Sequence, residues 1–592
     1  MEAMAERLAA RWKLAAVIAW LVYCGWLLFT RWATIRGFGL GDTDDNLRLV
    51  QVRDWLNGQG WYDLRQHRLD PLHGGANIHW SRLVDLPIAG LILAIRPFAG
   101  GIAAERWASA LAPLLPLLPT LGALALVARR LVGPVAGLLT LVALLFAGST
   151  LGMFQPLRID HHGWQLALLA VALAGLADPR RARGGATVGI ASALSLAIGL
   201  EMIIYLALLG VAQVLFWVTD RDERRRLASY AATLGGGTAL SFLIFASYAN
   251  RAPVCDALSP VWLADALLGG AAMLALAWAS PGRWPVRLAL AAGAGVALAA
   301  FHAIVFPHCL SRLEGISPEA SQLWMSHVRE ARPIYRHGAE VAALTLCLPI
   351  TGLVGWAVLA WRARADPDLL RRTLGVWAVA FSALALLLWQ TRTGPAAQMM
   401  AIPGAVALAV LFAPRAHRSR NVLIRTVGTA AIVVIGLGGA VPLVANYFPK
   451  EKQTAQGRRV ATANNRCPTL AALHPIALLP KGTIFTFVDF GPRIIAMTHH
   501  SAIAGPYHRN YQAIVDSMKA FRGTADQAHA IIADKYRSDY VMVCPDQSSA
   551  TIFMAETPKG FYVELAKGQV PAWLTPVDLG PKSPWKMWRV VG

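Results

Sequence analysis

Thirteen long apolar segments, separated by short polar ones, constrain this chain more than any other feature of its sequence. They lie at 13–28, 106–128, 131–149, 162–178, 186–199, 201–218, 226–248, 259–280, 284–306, 340–362, 370–390, 395–413 and 423–446. A helix that crosses a membrane needs about 20 mainly apolar residues. Hydrophobic residues make up 56% of the 592 residues and charged residues only 15%, whereas soluble domains carry roughly 25% charged residues. The sequence therefore predicts a polytopic α-helical membrane protein with about 13 transmembrane helices.

The positions of the arginines predict how this chain is oriented in the membrane. Six arginine-rich clusters, at 129–130, 180–183, 221–226, 283–287, 362–372 and 415–425, fall on one side of a thirteen-span arrangement. A further apolar run at 84–99 is interrupted by Pro87 and Pro97, and we interpret it as interfacial or re-entrant, since counting it as a span would break this pattern. Loops on the cytoplasmic side of membrane proteins carry an excess of Lys and Arg, so these clusters predict a cytoplasmic N-terminus. The same clusters account for much of the net charge of +21, so we expect no nucleic-acid partner.

Three sizeable segments remain on the outer side, at about 30–105, about 307–339 and 447–592. The last contains β-rich runs at 483–488 and 540–543 with a helical stretch between them. We therefore predict a transmembrane domain at 1–446 and an extracytoplasmic α/β domain at 447–592. Cys467 and Cys544 both lie in the second, where a disulfide and two buried thiols are equally compatible with the sequence. Abundant Ala and Arg with few Lys indicate a GC-rich bacterial source, hence a periplasmic domain and an inner-membrane location.

Polar residues collect on the same outer side. Asp42, Asp44 and Asp45 follow the first span, and three carboxylates this close either bind a divalent cation or cap the helix that follows. The sequence Arg158-Ile159-Asp160-His161-His162 precedes the fourth span and is compatible with a metal site or with a helix cap. Glu330 stands among arginines in the long outer loop, where a surface ion pair is the simpler interpretation.

Taken in order, these clusters resemble the motifs of the catalytic subunit of oligosaccharyltransferase, a polytopic glycosyltransferase of the GT-C fold. Residues 42–48 keep the Asp, Asn and Arg of its D-P-Y-F-N-Y-R-like motif, and residues 160–162 stand where the family has D-N-E. Residues 328–333 keep the Val, Glu and Pro of S-V-S-E-x-x-P, and residues 487–491 look like W-W-D-Y-G. The resemblance spans nearly the whole chain and implies a metal-dependent transferase with a polyprenyl-linked sugar donor.

The resemblance also assigns roles to individual residues. The implied ligands of a divalent cation, Mn²⁺ or Mg²⁺, are Asp42, Asp160, His162 and Glu330. The implied catalytic residues are Asp42, Asp44 and Glu330, with Asp42 or Asp44 as the base toward the acceptor. The implied donor-phosphate residues are Arg158 and Arg392, and the implied acceptor residues are Asp489, His499 and His500.

Two departures from the family pattern affect these roles. His162 replaces the second acid of D-N-E, and an imidazole in a mixed set of ligands is suited to transition metals. Phe487 and Val488 replace both tryptophans, which in the family help to recognise the Ser or Thr of the acceptor sequence. The acceptor is therefore open to a glycan, a lipid or another protein site.

Two other classes of protein stay open. A transporter or lipid flippase suits thirteen spans, but such proteins place polar residues at mid-membrane. Here only Glu201 and His302 are candidates for that position. The other alternative is a non-catalytic assembly component whose outer domain binds a partner.

Overall fold

The structure is a computed structural model that describes residues 10–310, 315–448 and 454–591. The parts of the predicted segments 1–446, 307–339 and 447–592 that fall on 1–9, 311–314, 449–453 and 592 lie outside the described residues. The first half of the chain forms the helices Trp12–Thr30, Trp32–Arg36, Thr43–Leu56, Asp85–Ala99, Gly101–Leu111, Leu117–Leu131, Pro134–Ala143, Gly148–Gly152, His162–Leu176, Arg181–Ile198, Ile203–Thr219, Arg224–Phe245, Pro260–Ala279 and Trp284–Val305. The next are Pro318–Leu323, Ala339–Arg362, Pro367–Leu386, Gly394–His417, Thr429–Leu437 and Ala440–Tyr447.

A helix overlaps each of the thirteen predicted apolar segments, which confirms the predicted polytopic α-helical fold class. By length and composition, eight helical stretches among the described residues qualify as membrane spans: Trp12–Thr30, Gly101–Leu131, Arg221–Phe245, Pro260–Ala279, Trp284–Val305, Ala339–Ala365, Pro367–Leu386 and Thr391–His417. The pair Ile424–Leu437 and Ala440–Tyr447, bent by 89°, makes a ninth if it is one span. The other four segments form shorter or less apolar helices: Pro134–Phe146, His162–Leu176, Arg181–Ile198 and Ile203–Thr219. The predicted number of thirteen membrane spans therefore holds only if these four helices also cross the membrane.

Close helix contacts build the interior of the bundle. The helices Ala339–Arg362 and Gly394–His417 approach so closely that a Cβ on Gly355 would lie 1.7 Å from the carbonyl oxygen of Gly404. Small residues allow this approach between membrane helices, where packing rather than the hydrophobic effect drives association. The helix Gly394–His417 is buried along most of its length, so it lies at the centre of the bundle.

The first outer segment folds back against the bundle. It contains the helix Thr43–Leu56, a short antiparallel pair of strands, β1 (Arg65–Gln66) and β2 (Ala76–Asn77), and the helix Asp85–Ala99. That last helix covers most of the run 84–99 and is 15 residues long with Pro97 inside it. At 1.5 Å per residue it is too short to cross a hydrocarbon core of about 30 Å, in line with the interfacial or re-entrant interpretation.

The C-terminal part carries a five-stranded mixed sheet of order β4-β3-β5-β7-β6. The strands are β3 (Thr483–Phe485), β4 (Ser501–Ala502), β5 (Tyr540–Val543), β6 (Leu574–Val577) and β7 (Lys586–Val590). The strands β4, β3 and β5 are parallel, and β7 and β6 continue antiparallel. The helices of this part are Ala455–Arg466, Leu470–Ala477, Gly491–Met497, Tyr511–Arg522, Ala525–His529, Ser548–Glu556 and Phe561–Ala566. Both β-rich runs thus contain strands, and the stretch between them contains helices, as predicted. The predicted boundary after residue 446 falls one residue before the end of Ala440–Tyr447 and stays a prediction.

Two disulfides join cysteines that are far apart in the chain. Cys467 and Cys544 are bonded, which settles the alternative that the sequence left open. A second disulfide, Cys255–Cys309, was not predicted because its cysteines lie 54 residues apart with no sequence signal that pairs them. Cys24 and Cys347 are free and lie in membrane helices.

We predict that the double variant Cys467→Ser/Cys544→Ser lowers the melting temperature of the purified protein in detergent. The bond joins residues 77 positions apart, and closing a loop of this length in the unfolded chain corresponds to about 4.5 kcal/mol in the chain-entropy model. The matched control is Cys24→Ser/Cys347→Ser, which removes two free thiols. Equal melting temperatures for the two double variants would contradict the prediction.

Candidate active site

A cavity of about 1520 Å³ opens among the neighbouring ends of the membrane helices, the first outer segment, residues 316–331 and the C-terminal part. Its wall includes seven of the ten residues predicted for the site: Asp42, Asp44, Arg158, His162, Glu330, Arg392 and Asp489. Asp160 has a fully buried side chain and contacts Arg158 and His162 of the wall. The fold therefore brings segments far apart in the chain to one space.

Asp42 begins the helix Thr43–Leu56 as its N-cap. Its Oδ1 accepts a hydrogen bond from the backbone N–H of Asp44 at 3.4 Å, which satisfies one of the unpaired donors of the first turn. The helix-cap interpretation of this cluster is thus correct. It does not exclude a further role, because Asp42 Oδ2 points away from the cap toward Arg158.

Buried polar contacts fix this helix in place. Arg48 Nη1 lies 2.9 Å from Asp85 Oδ1, with both side chains almost fully buried, and its guanidinium stacks 4.3 Å from the centre of the Trp80 ring. From the C-terminal part, Arg493 donates a 3.0 Å hydrogen bond to Asn46 Oδ1. Rigid support of this kind keeps a reactive side chain in a defined position.

Arg158 joins two carboxylates from distant segments. Its Nη1 lies 2.6 Å from Asp42 Oδ2, and its Nη2 lies 2.9 Å from Asp160 Oδ2. A planar guanidinium can donate to two acceptors at once, which a lysine cannot do with the same geometry. Burial alone would raise the pKa of Asp160, but the charges of His162 and Arg158 hold that pKa well below its usual range.

Asp160 and His162, two residues of the predicted metal set, contact each other directly: Asp160 Oδ2 lies 3.1 Å from His162 Nδ1 and 2.9 Å from Arg158 Nη2. Burial alone would lower the pKa of the His162 imidazole, but the charge of Asp160 and its hydrogen bond raise that pKa to about 9. His162 is therefore protonated at neutral pH, and a protonated imidazole has no free lone pair for a metal. A carboxylate and a neutral imidazole are ligands of transition metals, so a metal here would have to displace the proton of His162 and the guanidinium of Arg158.

Glu330 lies on the cavity wall, in a short turn at 329–331. Its Oε1 accepts a 3.0 Å ion-pair hydrogen bond from Arg392, and both side chains are exposed. The ion-pair interpretation of Glu330 is therefore correct in this structure. Among the described residues, the ligand atoms of Asp42, Asp160, His162 and Glu330 do not meet within 4.8 Å of one another as a group.

Glu201 lies at this site, although its one signal in the sequence is the cost of placing a carboxylate near lipid. It accepts a 2.8 Å contact from His161 Nε2 and a 3.0 Å hydrogen bond from Gln165, and it lines the cavity. His161 in turn stacks on His162 with ring centres 4.5 Å apart. Glu201 thus orients the pair of histidines beside Asp160.

Asp44 has the titration behaviour expected of a base near neutral pH. Burial raises its pKa to about 7, with further contributions from the negative charges of Asp42 and Asp160. It lines the cavity beside Asp42. A carboxyl group with a pKa close to the working pH is suited to general acid–base chemistry.

The predicted acceptor residues divide into two groups. Asp489 lines the cavity, whereas His499 and His500 are absent from its lining. His499 Nε2 contacts the carbonyl of Leu479 at 3.0 Å, and His500 Nε2 contacts that of Ile476 at 2.8 Å, so both rings bond to backbone of the C-terminal part. The structure therefore does not bring these two histidines to the other site residues.

No family model matches the chain, and no curated protein matches it in sequence. Among solved structures, the chain is similar to the oligosaccharyltransferase AglB of Archaeoglobus fulgidus in complex with an inhibitory peptide and a dolichol-phosphate. The sequence identity is 16% and the TM-score is 0.69. The match covers 96% of this chain and 73% of that one.

Two further structures of that enzyme give similar results. One is tethered to an acceptor peptide that contains the sequon NVT, with 16% identity, a TM-score of 0.63 and coverage of 90% and 69%. The other is a complex with Zn and sulfate, with 16% identity, a TM-score of 0.58 and coverage of 89% and 67%. At this level of identity the likeness concerns the fold. The chain thus has the GT-C fold of the oligosaccharyltransferases, as its motifs implied.

Proposed function

We propose that this protein is an integral-membrane glycosyltransferase that moves a sugar or oligosaccharide from a polyprenyl-phosphate or polyprenyl-diphosphate donor to an acceptor on the outer face. The observation that carries the proposal is the pairing of Asp42 and Asp160 through Arg158 at the wall of a large cavity. Acidic groups and arginines that face one space at the ends of membrane helices suit a reaction that expels a phosphate. The AglB structures share this fold and contain a dolichol-phosphate or an acceptor peptide.

The lipid tail of such a donor explains the membrane bundle. A polyprenyl chain stays in the hydrocarbon, so its phosphate reaches the cavity near the outer ends of the helices. Arg158 and Arg392 both line this cavity. We assign them to the phosphate, because a guanidinium binds phosphate oxygens through two hydrogen bonds.

Sugar transfer develops negative charge on the departing phosphate and positive charge at the anomeric carbon. Fixed cations next to the phosphate stabilise the first of these charges. A bound Mn²⁺ or Mg²⁺ would supply the same stabilisation as a Lewis acid, and Asp160, His162 and Asp42 are the residues that would hold it. Asp44 takes the proton of the acceptor, since its pKa of about 7 leaves a useful fraction ionised at neutral pH.

The acceptor is not expected to be recognised as in the oligosaccharyltransferase family. Phe487 and Val488, which stand in place of its two tryptophans, are almost fully buried in the core of the C-terminal part. Phe487 packs against Phe521, Phe553 and Tyr562. Neither side chain carries a hydrogen-bond donor for a Ser or Thr hydroxyl, so we propose a glycan, lipid or different protein acceptor, contacted by Asp489.

Two disulfides on the cavity side support the proposed orientation. Disulfides persist in the bacterial periplasm and are rare in the cytosol. Cys255–Cys309 and Cys467–Cys544 lie in the loops and the C-terminal part predicted to be outside. We propose a multi-pass protein of the inner membrane with a cytoplasmic N-terminus and the part from 447 to 592 in the periplasm.

We predict that Asp42→Asn lowers donor turnover by about 10²–10³, the size found when one stabilising polar group is removed from such a site. Asparagine is as good an N-cap as aspartate, so this change removes the charge next to Arg158 and keeps the helix start. Turnover is measured on the purified protein in detergent with a polyprenyl-linked sugar extract, with Mn²⁺ or Mg²⁺ and with EDTA.

The control variant is Asp63→Asn, a carboxylate of the same outer segment that bonds locally to Arg65 and His67. It should turn over donor like the wild type. Turnover that survives both EDTA and Asp42→Asn would contradict the metal and acidic-site assignments and would favour a transporter. A protein that binds partners but turns over no donor, in wild type and variant alike, would favour an assembly component.

We predict that the turnover rate at saturating donor rises with pH through about 7, because Asp44 acts as a base only when it is ionised. Below that pH the rate should fall about tenfold per pH unit. Asp44→Asn should lower the rate by about 10²–10⁴ and remove this rise. A pH profile that keeps its shape in Asp44→Asn would assign the titration to another group.

A further inference from the structure

A second polar cluster lies on the wall of the same cavity, formed by His79, Asp256 and His508. The three residues come from three separate segments: the first outer segment after β2, the loop after the helix Arg224–Phe245, and the turn before the helix Tyr511–Arg522. One potential ligand atom of each lies within 4.8 Å of the other two. None of the three belongs to the motifs that resemble the oligosaccharyltransferase family.

His79 is the informative member of this cluster. Its Nδ1 is buried and has no hydrogen-bond partner. Burial lowers the pKa of the His79 imidazole well below its usual value, with a further contribution from the neighbouring His508. The ring is therefore neutral at physiological pH and has a free lone pair, the state in which histidine binds metals.

Asp256 and His508 are already held in position. His508 Nε2 lies 2.6 Å from Asp256 Oδ2, and the rings of His79 and His508 are 4.5 Å apart. Arg509 contacts both oxygens of Asp256 at 2.7 Å. Carboxylates that ligate metals are commonly hydrogen-bonded to such partners, which orient them.

We propose that His79, Asp256 and His508 form a zinc site separate from the cluster around Asp160. Two imidazoles and one carboxylate are typical ligands of Zn²⁺, and three protein ligands leave one position open to the cavity. The set contains more nitrogen than Mg²⁺ or Ca²⁺ prefer. The guanidinium of Arg509 reduces the negative charge of Asp256, so we expect binding weaker than in a closed structural site.

Such a site would add a link among three segments that are far apart in the chain. The disulfide Cys255–Cys309 adjoins Asp256 and tethers that loop, so one ligand is fixed by a covalent bond next to it. Trp80 follows His79 and packs against His161 with ring centres 5.8 Å apart. The proposed zinc site therefore borders the acidic cluster through one shared aromatic ring.

The test is zinc binding by the purified full-length chain in detergent, after removal of metal with a chelator. The variant Asp160→Asn serves as the background, because it weakens the other candidate metal site. We expect about one Zn²⁺ per chain by elemental analysis, and at least a tenfold loss of affinity in His79→Gln and in His508→Gln. The matched control is His73→Gln, a half-exposed histidine that pairs with Asp70.

Cobalt provides a second, spectroscopic readout of the same site. Co²⁺ added to the metal-free protein should give the visible absorption of a nitrogen- and oxygen-ligated ion, and Zn²⁺ should displace it. The absence of saturable Zn²⁺ binding and of the Co²⁺ spectrum in the Asp160→Asn background would overturn the proposal. Binding that is equal in His79→Gln and His73→Gln would do the same. Neither result concerns donor turnover, so both are independent of the proposed transferase activity.

Discussion

The site depends on one guanidinium that neutralises two carboxylates. Asp42 and Asp160 belong to segments more than a hundred residues apart, and each would repel the other at the cavity wall without a cation between them. Arg158 contacts both, at 2.6 and 2.9 Å. Arg158 lies two residues before Asp160, so it links the start of the helix at His162 to the start of the helix at Thr43. Asp45 makes a second link, because its Oδ1 accepts a 3.1 Å hydrogen bond from the backbone N–H of Asp160.

Further contacts keep the charged side chains of this large cavity in defined positions. The helix Thr43–Leu56 is held in place by the buried pair Arg48–Asp85 and by Arg493 of the C-terminal part. The cavity wall also carries the exposed pair Glu330–Arg392, and an exposed ion pair alone is worth at most about 1 kcal/mol. The backbone of this segment is held by Thr391, whose N–H donates to the carbonyl of Arg332 and whose Oγ1 donates to the carbonyl of Glu330.

The fold was predictable from the sequence because its determinants are local. Apolar runs, arginine clusters and β-rich runs each reflect neighbouring residues, and helices and strands lie where they predicted. The site was predictable only in part. Motif order located Asp42 and Asp160, but no local pattern pairs Cys255 with Cys309 or brings His79 to Asp256. Those contacts form only in the tertiary structure, between segments whose sequences do not indicate that they pair. His499 and His500 do not line the cavity, and no local pattern indicates their position either.

The most direct test of the account is a structure of the protein, by electron cryomicroscopy, with a bound polyprenyl phosphate. We predict a phosphate inside the cavity within hydrogen-bond distance of Arg158 or Arg392, and a tail that leaves between the membrane helices. A phosphate bound at the arginine-rich opposite ends of the helices would contradict the transferase site and favour a protein that moves lipids across the membrane.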